Sequence, residues 1–223
     1  MATAIQEFIS TGRSGTPDLL YLYKEGCPMD RTMIFIDGNN FYHAVRHFLK
    51  QKPKVDFKKL VQRICEKSAN KHLLRTYFYT VNEPNQQGIV TALKHIPRFT
   101  VNNKGYLKKI PIPEIEFNPN DPNTYVTEEK GTDVNLVTDL LIGAYMNSYD
   151  TAIIVSADGD YVGPVSEIKK IGKIVEIVIT ENQPISNELK QIADVVIELN
   201  EHDFEICWLE KYVSQRTSHG SLC

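Results

Sequence analysis

Two short stretches of this chain are apolar from end to end, and each gives way to aspartate. Residues 32–36 read TMIFI and run into Asp37-Gly38, and residues 151–156 read TAIIVS and are followed within four residues by Asp158 and Asp160. Runs this short and this uniformly apolar suit strands buried on both faces, as parallel sheets require. Residues 173–180 (KIVEIVIT) and 195–199 (VVIEL) are of the same kind, and residues 73–81 (LLRTYFYTV) are rich in the aromatic and β-branched side chains that strands favour.

Helical patterns separate these runs. They are predicted at residues 40–50 (NFYHAVRHFLK), roughly 84–96, 132–146, 162–171 ended by Gly172, and 186–193. Residues 57–67 (FKKLVQRICEK) add another, with Asp56 as its N-cap and Phe57, Leu60, Val61 and Ile64 on one face. Strands alternating with helices of this length imply βαβ units around a parallel sheet, the α/β class. Residues 97–125 break the rhythm. Prolines 97, 111, 113, 119 and 122 exclude a long helix, while residues 99–101 and 105–110 suit a hairpin turning at Asn102-Asn103-Lys104-Gly105. Structureless loops longer than about 12–15 residues are often functional. Residues 1–30 read as an N-terminal extension in which LLYLY, at 19–23, suits a short strand or a helical turn. Residues 31–200 form the domain, and 201–223 a partly helical C-terminal tail.

Composition narrows the classes. A length of 223 residues suits one domain with an extension, and a net charge of −3 excludes a strongly basic nucleic-acid-coating protein while leaving a local basic patch open. Cys27, Cys65, Cys207 and Cys223 show no CxxC spacing, so neither a zinc site nor a disulfide framework is expected. The first residues lack the pattern of a secretory signal, and no apolar stretch approaches the ~20 residues of a membrane helix. The expectation is a cytoplasmic protein with no membrane partner. There is no GxxxxGK[ST] phosphate loop and no GxSxG elbow. His43 and His47 have the spacing of HExxH, but Ala44 stands where its glutamate would be, and the pair reads as helix surface.

Open α/β sheets bind ligands beyond the carboxyl ends of their strands, at a switch point in strand order. Asp37, Asp158 and Asp160 leave the ends of the two most apolar strands. Asp133 precedes Leu136, Val137, Leu140, Leu141 and Ala144 by 3, 4, 7, 8 and 11 residues, which puts it on the helix stripe that packs on the sheet, at its rim. Asp139 lies about 120° further round the helix and is a weaker candidate. Gathered carboxylates repel one another, and a hard cation such as Mg²⁺ or Mn²⁺ offsets this. Phosphodiester hydrolysis fits such equipment. Each acid also has an ordinary structural reading: a turn at Asp37-Gly38, a turn with a cap at Asp160, and a first-turn acid at Asp133.

The segments IFIDGNNFYHA, KGTDVNLVTDLLIGAYMNSYDTAIIVSADGDYVGPVSEIKKIGKIVEIV and SNELKQIADVVIEL resemble the NYN domain, in the LabA-like branch of the PIN-like nucleases, over about residues 32–200. The resemblance implies a PIN-like three-layer α/β/α fold with a central, mostly parallel sheet. It implies a metal-dependent ribonuclease whose acids are Asp37, Asp133, Asp158 and Asp160, using Mg²⁺ or Mn²⁺ on RNA. Asn40 matches an asparagine that can orient a water or a ligand carboxylate. Ser156 matches a serine whose hydroxyl can bond a phosphate or a neighbouring aspartate, and Lys130 matches a lysine that can meet the RNA backbone. Ala157 and Tyr161 depart mildly from the family pattern. Lys104, Lys108, Lys109 and Lys130, with Tyr106 among them, suit contact with single-stranded RNA, or else a solvated loop. Two other readings stay open: a catalytically weak or inactive NYN domain acting as an RNA- or protein-binding regulator, and a Toprim-like site, against which Asp37 speaks because that site opens with glutamate. Homo-oligomerisation is left open.

Overall fold

The computed structural model describes residues 30–50, 54–69 and 72–209. The LLYLY run, Cys27 and Cys223 lie outside the described residues. In chain order the elements begin with β1 (Arg31–Asp37), α1 (Gly38–Leu49), α2 (Phe57–Lys67), β2 (His72–Val81) and α3 (Gln87–Lys94). Next come β3 (Phe99–Pro111), β4 (Tyr125–Lys130), α4 (Thr132–Tyr145) and β5 (Thr151–Val155). The last are α5 (Val162–Lys170), β6 (Ile174–Thr180), α6 (Asn187–Ile192), β7 (Val195–Leu199) and α7 (Glu201–Ile206).

The seven strands form one sheet in the order β4-β3-β2-β1-β5-β6-β7. Every neighbouring pair is parallel except β3 with β4. The chain leaves β1 towards β2 and β3 on one side, then returns to β5 on the other. The carboxyl ends of β1 and β5 therefore lie side by side, with Ile36 opposite Val155, at the point where strand order reverses.

Alternation along the strands builds two cores. Ile34 and Ile36 of β1 and Ile153 and Val155 of β5 face Phe41 and Val45 of α1, Leu60 and Ile64 of α2, and Phe204 of α7. Phe35, Ala152 and Ile154 face the other way, onto Leu136 and Leu140 of α4, Val165 and Ile168 of α5, and Leu189 of α6. The result is the three-layer α/β/α arrangement, and each fully buried Ile or Leu contributes about 1.5–3 kcal/mol by removal from water. No helix of the described residues is long and apolar enough to cross a membrane.

The proline-rich region corrects one expectation. There is no hairpin at 102–105: β3 runs unbroken for 13 residues, parallel to β2 at its start and antiparallel to β4 at its end. The pairing with β2 shifts register there, from Tyr79 opposite Asn102 to Val81 opposite Gly105, so the turn-like residues sit in a bulge of a continuing strand. Glycine fits the far side of the bulge: a Cβ on Gly105 would clash with the Thr132 hydroxyl and lie 3.1 Å from the Thr80 carbonyl oxygen, and the backbone N–H of Asn82 donates to the Gly105 carbonyl at 3.0 Å. The second half of the expected hairpin pairs with β4, a strand the sequence patterns do not reveal. The helix predicted at 84–96 opens as a 3₁₀ turn, Pro84–Gln86, before α3.

Candidate functional site

Asp37 ends β1 and caps α1. Its Oδ1 accepts the backbone N–H of Asn40 at 3.0 Å, while its Oδ2 accepts the Tyr161 hydroxyl at 3.1 Å and the Ser156 hydroxyl at 3.3 Å. The next residue has to be glycine: a Cβ on Gly38 would stand 2.5 Å from the Tyr79 carbonyl oxygen and 2.7 Å from the Phe78 ring. Asp37 is 3% exposed. Burial pushes its carboxyl up to about 6, helped by the negative charges of Asp133 and Glu129 and opposed by the Asn40 amide and the Tyr161 hydroxyl.

Ser156 follows β5 and is 2% exposed. Of the two partners open to its hydroxyl, it takes the aspartate, and it also accepts the backbone N–H of Asp158 at 3.2 Å. Asp158 then caps a one-turn 3₁₀ helix, Gly159–Tyr161, by accepting the Asp160 N–H at 3.0 Å. That turn carries the buried Tyr161 back to Asp37, with its hydroxyl also 3.3 Å from Oδ1 of Asp133. Burial and these carboxylates hold the Tyr161 hydroxyl far above the ordinary tyrosine range.

Asp133 sits in the first turn of α4, after Gly131, whose φ of +82° favours glycine. The residue is exposed overall, but its carboxyl turns in to Tyr161. Partial burial raises its pKa, the charges of Asp158 and Asp160 add to this, and the Tyr161 hydroxyl and Lys130 oppose it. Glu129, on β4, accepts the Thr132 hydroxyl, and burial likewise raises its pKa.

These groups share a cavity of about 310 Å³. Its walls carry four carboxylates, from Asp37, Glu129, Asp133 and Asp158, together with Asn39, Asn40, His43 and Gln183. Asp160 is exposed and stands off the wall, although its charge reaches Asp133. Asp139 is elsewhere: it accepts the Tyr79 hydroxyl at 3.0 Å and the Asn102 amide at 3.4 Å, stitching α4 to β2 and β3. Asn40 accepts the Ala157 N–H and the Gln183 amide, each at 3.3 Å, and so fastens the loop after β5 to α1.

Asn39, Glu129, Gln183 and Tyr161 are the site residues that sequence reasoning does not single out, and His43 is read only as helix surface. Tyr161 carried a signal, since it follows the Asp158-Gly159-Asp160 turn directly. Glu129 carried little beyond standing next to Lys130.

The lysines do not form one patch. Pairing sets Tyr106 opposite Lys130, Leu107 opposite Glu129, Lys108 opposite Glu128 and Lys109 opposite Thr127. Alternation then puts Lys108 and Lys130 on the face away from Glu129. Lys130 pairs with Glu128. Lys109, on the Glu129 face, donates to the Pro119 carbonyl at 2.6 Å and lies 4.5 Å over the Tyr125 ring. Lys104 is exposed.

The donors suit a hard cation: they are carboxylate oxygens, and burial raises the pKa of one of them, Asp37, so that a nearby positive charge would favour its ionised form. Among the described residues no three Asp, Glu, His or Cys side chains close on a single point. The acids line a space and do not form a finished cage. An ion that takes only one or two carboxylates directly, as Mg²⁺ does, would keep much of its water there.

A family model for the NYN domain matches residues 31–200. No curated protein matches the chain. Among solved structures, a protein of unknown function from Vibrio parahaemolyticus is similar at 20% identity and a TM-score of 0.57, over 81% of this chain and 98% of that one. That likeness supports the fold alone. A protein described as an oxidoreductase from Parabacteroides merdae aligns at 10% identity and a TM-score of 0.32, over 78% of this chain and 32% of that one, too weakly to carry an argument.

Proposed function

Because the chain belongs to the NYN domain family, within the PIN-like nuclease superfamily, we propose that it is a metal-dependent ribonuclease hydrolysing RNA phosphodiester bonds at the cavity between β1, β5 and α4. The observation that carries this reading is the convergence of four carboxylates on one cavity at the switch point of the sheet. Asp37, Glu129, Asp133 and Asp158 would hold Mg²⁺ or Mn²⁺, with Asp160 adding charge beside Asp133. The ion, when bound, polarises a phosphoryl oxygen and acidifies an attacking water. The chain's own part is positioning. Tyr161 and Ser156 fix Asp37 against Asp133 and Asp158, and Asn40 and Gln183 offer amides at the cavity wall. Lys104, Lys108 and Lys130 lie within β3 and β4, flanking the site in sequence, as contacts for the RNA backbone.

The purified protein should cut labelled RNA with Mg²⁺ or Mn²⁺ and stop on addition of EDTA. Asp158→Asn should keep the melting temperature and lose at least about a hundredfold in rate, since removing a well-placed electrostatic group typically costs that much. Undiminished cleavage by that variant overturns the assignment.

One observation favours a second reading, an RNA-binding domain that does not cut. Both oxygens of Asp37 already accept hydrogen bonds from the chain, as a purely structural carboxylate would. Metal-dependent stabilisation with no cleavage of any RNA tried would select it.

A further inference from the structure

Between Asp37 and Asp56 the chain carries no acidic residue. Residues 38–55 hold Arg46, Lys50, Lys52 and Lys54 and two histidines, in a protein whose net charge is −3. The structure gives this composition a direction. On an ideal helix of 100° per residue, Asn39, His43 and Arg46 of α1 fall within about 40° of one line, and Lys50, the left-handed C-cap that follows the helix, ends it after about 16 Å. All four are exposed. Its first two members, Asn39 and His43, are part of the cavity wall, so the line starts at the acids and leads away from them. Tyr42, 37% exposed, flanks it with its ring edge-on to His43 at 5.4 Å between centroids. Among the described residues no carboxylate pairs with Arg46 or Lys50.

A cavity walled by carboxylates repels a polyanion, so a strand bound for it needs cationic footing outside. The lysines of β3 and β4 provide only part of it: Lys109 is bound to Pro119 and Lys130 is paired with Glu128, which leaves Lys104 and Lys108. Among the described residues the α1 line has no carboxylate partner, and it is continuous with the cavity and provided with an aromatic face, the combination that holds single strands by backbone charge and base stacking. We propose that the outer face of α1, from Asn39 to Lys50, is the track on which single-stranded RNA lies as it enters the acidic cavity. The direction of entry rests on the ribonuclease reading; the binding does not.

The experiment is fluorescence anisotropy of a labelled 12-nucleotide single-stranded RNA with the full chain, in EDTA so that nothing is cut, across a salt series. The chain should bind, and R46Q/K50Q should bind about tenfold more weakly. The slope of log affinity against log salt should fall by about 0.7 per lost contact, so by about 1.4 for the pair. The charge-preserving R46K/K50R should stay within about twofold of the starting affinity. Should R46Q/K50Q melt early, Lys50→Gln alone reads the same effect at about 0.7 in slope. Unchanged affinity and slope, or no RNA binding by the unaltered chain, overturns the proposal. RNA held through α1 but never cut with Mg²⁺ leaves the track standing and removes the ribonuclease reading; RNA cut with Mg²⁺ while R46Q/K50Q binds as before does the reverse.

Discussion

The hydroxyl of Tyr161 lies 3.1 Å from Oδ2 of Asp37 and is bonded to acids of both β1 and α4. It has a single proton, so it can donate to only one of the carboxylates of Asp37 and Asp133 at a time. The pair is held close without either charge being cancelled, and on the proposed reading a bound cation would offset both.

Tyr161→Phe keeps the ring and removes that tie. The hydroxyl lowers the pKa of Asp37, so its loss should move the acid limb of the cleavage profile to higher pH. Stability should drop by about 1.5–3 kcal/mol for a lost hydrogen bond to a charged group. Paired pH–rate profiles and urea titrations of the two proteins test both.

Asp37 also makes stability depend on pH in an unusual direction. Its carboxyl is raised from 3.8 to about 6 in the folded protein, so the protonated form is the one folding favours. The contribution is fully present below pH 3.8 and is lost as pH rises through about 6, by about 3 kcal/mol at 1.36 kcal/mol per unit. Without metal, the difference between the starting protein and Asp37→Asn should follow that curve, since the amide does not titrate. Mg²⁺ should restore stability mainly above pH 6, where the carboxylate is ionised. Unfolding midpoints from pH 4 to 8, with and without Mg²⁺, read both effects.

Asp139→Ala separates structural acids from functional ones. It leaves the buried hydroxyl of Tyr79 without its acceptor. The cost should be about 1–3 kcal/mol in urea unfolding, while cleavage per folded molecule changes little. Abolished cleavage in a folded Asp139→Ala protein would mean that the site extends down α4.

Gly38→Ala should act on stability and site together. The new methyl meets the backbone of β2 at 2.5 Å, so α1 must shift, at about 1–3 kcal/mol for overpacking. Because Asp37 caps that helix, cleavage should fall further than RNA binding does. Calorimetry and the anisotropy assay, run on one preparation, measure the two.

What could be read in advance follows from burial. β1 and β5 are covered on both faces, so they are apolar throughout and visible as runs, and the acids at their ends are visible with them. β4 is an edge strand reading YVTEEK; its partner is the far half of β3, and nothing local marks it as a strand. Asn102-Asn103-Lys104-Gly105 has the composition of a turn, and only its fit along Val81 makes it extended. Glu129 joins the site through that cross-strand pairing, and Gln183 through a bond to Asn40, so neither was legible from its own neighbours. Tyr161 reads as a core aromatic until its hydroxyl is seen between two acids.

Glu129 faces the cavity because of its place in the β3–β4 ladder, where Glu128 and Lys130 take the opposite face. Side chains alternate along a strand, so the sign of this wall is a matter of odd and even. One residue inserted into β4 would bring Lys130 or Glu128 inward in place of Glu129. Insertions in β4 thus come in two kinds: those of even length keep Glu129 on the cavity face, and those of odd length can turn it away without altering any of the four aspartates.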